Sequence, residues 1–201
     1  AESLLFLAFV ALIAVYKKNV RGFVAIALGV ALVLVPWTLR NAEAMGRFVP
    51  LTTSGGVNLY RGHNEHGIGT WSDDALRSEL RSLPFTNSIE YSIDSVHRSA
   101  ALQSIANDPV RAFTRGIDKS LSLLLLDRRD ERSFHPVYLL QTLVFLVLCA
   151  WGFIAFHRKK YSIPSELRAY IIASLLTAAV FFCLPRYQTM FRIALLPYAG
   201  Y

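Results

Sequence analysis

Charge is scarce in this chain. Of its 201 residues only 17% are Asp, Glu, Lys or Arg, while 54% are hydrophobic, and the mean hydropathy is +0.38. An ordinary soluble domain runs at about 25% charged and about 45–50% apolar. So little charge with so much apolar content excludes a disordered tail. Two cysteines are too few for a secreted disulfide scaffold, and 11 glycines are too few for a collagen. A soluble one-domain enzyme fits poorly, because the apolar residues come in long blocks. What remains is a membrane protein, mainly α.

The formal charge of +7 suggests nucleic acid until the charges are located. Lys17, Lys18 and Arg21 form one knot, and Arg158, Lys159, Lys160 and Arg168 form another. Residues 38–135 carry 12 basic and 12 acidic side chains, a balance of zero. No basic stripe is interleaved with aromatics in the way a nucleic-acid face requires. The excess sits in short connectors beside apolar runs, and that is a topology signal.

Residues 22–39, 136–156 and 169–185 carry no charged side chain. A helix crossing a hydrocarbon core of ~30 Å needs roughly 17–25 mostly apolar residues, and these three qualify. Residues 3–16 and 193–201 read as cut spans. The chain is therefore expected to be an interior or C-terminal part of a longer polytopic protein. Basic residues in short loops mark the cytoplasmic side, which puts both knots inside and residues 38–135 outside. Residues 1–37 are expected to hold two transmembrane helices, and residues 136–201 two more with the start of a third. The location implied is an inner or plasma membrane, crossed several times. Cys149 and Cys183 fall in predicted spans at different depths, so they are expected not to pair and to act as small apolar fillers.

The outer segment divides in two. Residues 48–64 are rich in Gly, Thr, Asn and aromatics and read as loop, with Gly55-Gly56 expected to make a tight turn at positive φ. Beyond them, Ser72 with Asp73 and Asp74 looks like a capped helix start, which explains both acids more simply than a catalytic pair. A helical pattern over residues 88–106 sets Ile89, Ile93, Val96 and Leu102 on one face. It stops at Asn107-Asp108-Pro109, where Pro starts the next helix. Val110, Phe113, Ile117, Leu121 and Leu124 continue as an apolar stripe, and residues 123–126 are expected to lie on the membrane surface.

Motifs for soluble chemistry are missing. No Lys-Ser/Thr follows Gly55-Gly56, so it is no nucleotide cradle. No Ser-His-Asp or Cys-His arrangement is present in an aqueous region. The sequence names no cofactor; its nearest approach to a divalent-metal pattern is His63, Glu65 and His66, weak outside a defined helix. Arg40 and Arg186 are the more informative cations, both expected at outer ends of spans. They suit either a snorkelling anchor or a guanidinium grip on a lipid-linked phosphate.

The order of these features resembles the C-terminal half of bacterial GT-C glycosyltransferases related to the dolichyl-phosphate-mannose protein mannosyltransferases (family 39) and the aminoarabinose transferases. Members typically carry a Pro-Trp-x-x-Arg-Asn helix end, similar to Pro36-Trp37-Thr38-Leu39-Arg40-Asn41. They follow it with a Val-Pro-Leu-Ser/Thr-Thr-x-Gly-Gly-x-Asn-Leu stretch ending in Gly-Asn-Asn, similar to Val49-Pro50-Leu51-Thr52-Thr53-Ser54-Gly55-Gly56-Val57-Asn58-Leu59 and Gly62-His63-Asn64. Asn107-Asp108-Pro109, Lys119 and Arg186-Tyr187 resemble later family landmarks. His63 stands where the family often has Asn, and Glu65-His66 replaces its usual Pro-containing turn.

The resemblance implies transfer of a sugar from a polyprenyl-phosphate donor to an extracytoplasmic glycan, lipid or protein acceptor. It also implies that the catalytic carboxylate lies upstream, in the first extracytoplasmic loop, with no substitute here. Arg186 is then the first expected phosphate contact, Arg40 the second, and Tyr187, Asn58 and Asn64 the sugar- or acceptor-facing groups. The partners implied are that donor, the bilayer and the acceptor, without nucleic acid. The alternative is a non-catalytic membrane scaffold or transporter subunit, whose spans would carry mid-bilayer polar groups.

Overall fold

The computed structural model describes residues 2–64, 76–126, 131–159, 164–181, 188, 191 and 192. It is mainly helical. Helix α1 covers Glu2–Tyr16, α2 Val20–Met45, α3 Gly55–His63, α4 Arg77–Arg81, α5 Ile89–Asn107, α6 Pro109–Leu124, α7 Pro136–Lys159 and α8 Ser165–Val180, with a 3₁₀ turn at Glu131–Phe134. Ser72, Asp73 and Asp74 lie outside the described residues, as do Arg186, Tyr187 and Cys183. Cys149 is a free thiol on α7.

One described helix, α2, is long and apolar enough to cross a membrane, and none of its apolar window is covered by the rest of the chain. Leu4–Tyr16 and Pro136–Gly152 are shorter apolar helices. Helix α2 does not stop near Arg40, as the Pro-Trp motif suggested, but runs through Pro36 to Met45. Proline removes one backbone donor but does not by itself end a helix whose other bonds hold. The stop comes at Gly46, whose φ of 63° is the left-handed C′ conformation that glycine adopts without penalty.

The chain then folds back along the last turns of α2. Trp37 Nε1 donates to the Leu51 carbonyl at 2.5 Å, Thr38 to that of Pro50 at 3.2 Å, and buried Asn41 to that of Val49 at 3.0 Å. Irregular backbone leaves its carbonyls without helix or sheet partners, and these three side chains satisfy them in succession.

Helix α8 organises the rest. At its start, Ser165 and Glu166 meet Lys17 at 3.0 and 3.4 Å, so the two basic connectors share one end of the molecule. Along its length Phe6 of α1 meets the Tyr170 ring edge-on at 5.8 Å. Gly116 of α6 lies against Ala179, and Ser120 donates to the Leu175 carbonyl at 3.1 Å, so α6 runs antiparallel to α8. Leu123, Ala178 and Phe191 form the buried core there, with Leu124, Tyr170, Ile171 and Leu175 packed on it. Residues 123–126, expected at the membrane surface, are divided between this core and an exposed Leu125. Leu123 is in the core and Leu124 beside it, because α6 follows α8 instead of departing from it.

Helices α5 and α6 start and stop as the sequence indicated. Asp108 accepts from Arg111 N at 2.9 Å and Pro109 opens α6. Their faces are the other way round from a soluble protein. The α6 stripe points outward, with Val110 and Phe113 each 71% exposed and Ile117 and Leu121 about half exposed. Its buried face carries Gly116, Lys119, Ser122 and Leu123. On α5 the apolar face is only partly covered, with Ile89, Ile93 and Val96 partly buried and Leu102 exposed, while Asp94, His97, Ala101 and Ser104 are buried.

Two side chains from beyond α8 hold the end of α6. Gln188 donates to the Ser122 carbonyl, and Arg192 donates to that of Leu125 at 2.6 Å and to Thr142 Oγ1 of α7 at 2.9 Å. The last carbonyls of a helix lack partners within it and carry partial negative charge, so an amide and a cation one turn apart suit them. The Phe145 ring lies 5.2 Å from the Arg192 guanidinium carbon and covers it.

Candidate functional site

Polar groups converge around α3. Gly55-Gly56, expected to form a turn at positive φ, instead opens this helix, and neither glycine has positive φ. Gly56 is required for another reason. A β-carbon there would collide with the Asp94 carbonyl oxygen and lie 2.9 Å from Arg98 Cβ. The glycine allows α3 to pack directly on the α5 backbone.

That approach brings an acid to the start of α3. Ser54, at the N-cap position, makes no side-chain cap. Asp94, 1% exposed, takes its place: Oδ1 accepts from Gly56 N at 2.5 Å and Val57 N at 3.2 Å. Its other oxygen accepts from Arg98 Nη2 at 2.5 Å. A carboxylate at a helix N-terminus meets free amides and a favourable dipole together.

The other end of α3 receives donors. Lys119 Nζ donates to the Gly62 carbonyl at 3.2 Å, Ser104 Oγ to that of His63 at 2.8 Å, and Arg115 to that of Asn64. Gly62 is glycine because a β-carbon would lie 2.9 Å from the Phe181 carbonyl carbon and 3.0 Å from Lys119 Nζ. Lys119, 1% exposed, is therefore the partner that a buried helix C-terminus needs. Between the two ends, Tyr60 meets His97 edge-on at 5.3 Å.

His63 closes the cluster. Its Nε2 lies 2.9 Å from the Val180 carbonyl oxygen, which can only accept, so Nε2 carries the proton. Lys119 Nζ stands 3.4 Å from the same nitrogen. Burial first, then the Lys119 charge, push the imidazole down from 6.5 to about 4; the Val180 bond opposes this and Arg115 adds to it. The ring is neutral, and Nδ1 is an acceptor, buried and without a hydrogen-bond partner.

The structure brings some expected site residues together and separates others. Asn64 is buried at the end of α3 beside His63, and Asn58 is half-buried on the same helix. Arg40 lies on α2, exposed, with its guanidinium carbon 5.4 Å from the Trp37 ring. Arg186 and Tyr187 lie outside the described residues, as do Glu65 and His66 of the weak metal pattern. Among the described residues no three His, Cys, Asp or Glu side chains converge on a common point. Sequence reasoning passed over Asp94, His97 and Ser104, although their spacing with Ala101 marks a polar stripe at helical period. Arg192 left no comparable signal, since its partner carbonyl is on another helix.

No protein-family profile, curated protein or solved structure matches the chain. The geometry stands alone.

Proposed function

We propose that this chain is part of a multi-pass membrane glycosyltransferase that takes its sugar from a polyprenyl-phosphate donor. One observation carries the reading, namely how polar groups are sorted along α8. The basic connectors meet at its Ser165–Glu166 end, and the α3 cluster with His63, Asn64, Lys119 and Arg115 gathers at its Val180 end. Sixteen residues at 1.5 Å each separate the two ends by about 24 Å. Basic loops on one side and a glycine-bearing polar cluster on the other suit a substrate whose head is outside and whose tail is in lipid. The outward apolar stripe of α6 and the uncovered α2 support the same setting.

In this mechanism an upstream carboxylate takes the acceptor proton. The acceptor oxygen attacks the anomeric carbon while the bond from that carbon to the phosphate oxygen breaks, and the lipid phosphate leaves with the electron pair. A cation near the departing oxygen stabilises the developing charge. Arg186 is the first choice for that role and Arg40 the second, with Tyr187, Asn58 and Asn64 shaping the sugar or acceptor cleft.

The test uses the full-length protein and defined polyprenyl-phosphate sugars. Arg186→Ala should weaken donor binding and slow turnover; unchanged values for both would remove the clamp. Membrane-impermeant labelling of single-cysteine variants should reach position 85, which is 95% exposed, and not position 159 from outside. The opposite pattern inverts the topology and ends the proposal.

A further inference from the structure

Helices α1 and α8 form a groove of about 810 Å³, within the usual range for ligand sites, at the end of the molecule that holds the basic connectors. Its walls are two helix faces. Phe9, Leu12, Ile13 and Tyr16 of α1, with Lys17 just beyond, recur at helical spacing, as do Ser165, Arg168, Ala169 and Ile172 of α8. The two helices are antiparallel, since Phe6 meets Tyr170 while Lys17 meets Ser165. Both cations therefore come to one end of the groove and the apolar side chains to the other. Phe9 lies about 12 Å from Lys17 along α1. The groove is open at the side, with Leu12 63% and Ile172 48% exposed. Lys17 uses two of its three donors, on Ser165 at 3.0 Å and Glu166 at 3.4 Å, and its side chain is still 55% exposed. Arg168 is exposed, and among the described residues no carboxylate meets its guanidinium. Two cations against Glu166 alone leave this end of the groove with a net positive charge.

We propose that this groove binds an anionic phospholipid from the leaflet on the basic side, its phosphate at Lys17 and Arg168 and one acyl chain along Phe9, Leu12, Ile13 and Ile172. The occupant follows from the order of the groups. Apolar walls open at the side take a hydrocarbon chain directly from the bilayer. The cations at the end of those walls sit where that chain's head group would be, and a guanidinium beside an ammonium offers a phosphate several donors. A zwitterionic phospholipid brings its own cation to the same place and loses most of the attraction. A soluble phosphate gains nothing from the apolar walls. Tyr16, at the boundary between the two zones, is the amphipathic residue suited to that depth. The site rests on the membrane reading of the chain and not on sugar transfer. A scaffold or transporter with this groove would bind the same lipid.

The experiment places the full-length protein in phosphatidylcholine nanodiscs doped with photoreactive phosphatidylglycerol or photoreactive phosphatidylcholine, both carrying the same diazirine-tagged chain. Helix α2, uncovered by the rest of the chain, reports contact with bulk lipid. Relative to α2, the groove faces of α1 and α8 should take about fivefold more phosphatidylglycerol than phosphatidylcholine, the preference that one net charge at a membrane surface supports. Arg168→Gln, a change to an exposed side chain, should abolish that preference. Arg21→Gln, in the same basic knot as Lys17 but outside the groove wall, should keep it. Ile172→Trp, which fills the apolar end, should lower labelling there by both lipids. Excess inorganic phosphate at constant ionic strength should change nothing. Equal labelling by the two lipids, a preference that survives Arg168→Gln or falls equally with Arg21→Gln, or its loss to inorganic phosphate overturns the proposal. So does the absence of both probes from α1 and α8, which would mean that another part of the protein covers the groove. If neither lipid reaches any helix, the membrane reading itself fails. If α2 is labelled and the groove shows no preference, only this site does.

Discussion

Acidification should destabilise this protein through His63 before its carboxylates are involved. The free imidazole titrates near 6.5 and the folded one near 4, so the fold favours the neutral ring. The linkage has one sign. Above pH 6.5 both states are neutral and His63 contributes its full share. As pH falls below 6.5, the unfolded chain takes a proton that the folded chain refuses, and stability drops by up to about 1.4 kcal/mol per pH unit. The loss levels off near pH 4 at roughly 3 kcal/mol, a sizeable part of the about 5–15 kcal/mol that a domain has in total. Denaturant unfolding in micelles between pH 7.5 and 4, on the natural chain and on His63→Gln, isolates the effect. Glutamine donates to Val180 and does not titrate there, so the other groups cancel in the difference. The natural chain should lose about 3 kcal/mol more than the variant across the window. Lys119→Met supplies a second arm: removing the neighbouring charge should raise the His63 midpoint while leaving it below 6.5, since burial is the larger cause. Parallel pH curves for the natural chain and His63→Gln would refute the reasoning, as would an imidazole resonance that reports protonation at pH 5.5.

Gly56→Ala forces a methyl against the Asp94 carbonyl and should cost about 1–3 kcal/mol, seen as a lower unfolding midpoint. Asp94→Ala leaves the buried Gly56 amide and the half-buried Val57 amide without their acceptor and should cost about 1–3 kcal/mol, with faster hydrogen exchange at those two amides. Arg192→Met removes the donor to Leu125 and Thr142 and should loosen the last turn of α6, with a cost of about 1–3 kcal/mol in unfolding assays. Lys17→Ala breaks an exposed hydrogen bond to Ser165 and a half-exposed pair with Glu166, and should change stability by no more than ~1 kcal/mol.

What the sequence made legible were features set by neighbouring residues. Asp108 and Pro109 start α6 through a cap and a fixed φ, both local, and the helix begins there. The apolar run of α2 needs no partner to be recognised. Gly55-Gly56 was misleading because glycine serves two needs, positive φ or close approach. The group that decides between them, Asp94, is 38 positions away. The stripes on α5 and α6 were found, but their direction was not. Periodicity shows that a helix has two faces; which one turns inward depends on the neighbours and the surrounding medium. Here α3 is short and has its ends buried, so its neighbours turn polar side chains inward to meet them.

That last point limits where chemistry can be sought. A cluster holding Asp94, Arg98, His97, His63, Arg115 and Lys119 looks at first like acid–base machinery. Most of it is accounted for by one requirement, that a nine-residue helix be buried with both ends satisfied. Asp94 meets the amides at one end, and Lys119, Ser104 and Arg115 meet the carbonyls at the other. Charges used in this way lose stabilisation if they also hold a substrate, because each carbonyl they leave is buried and unpaired. His63 Nδ1 is not used in this way; it is buried and accepts no hydrogen bond. A role in sugar transfer for Lys119 or Arg115 would therefore have to keep their carbonyl bonds intact. If Lys119→Met abolished turnover while hydrogen exchange at α3 stayed unchanged, the end-capping account of that lysine would fail and a direct role in the reaction would replace it.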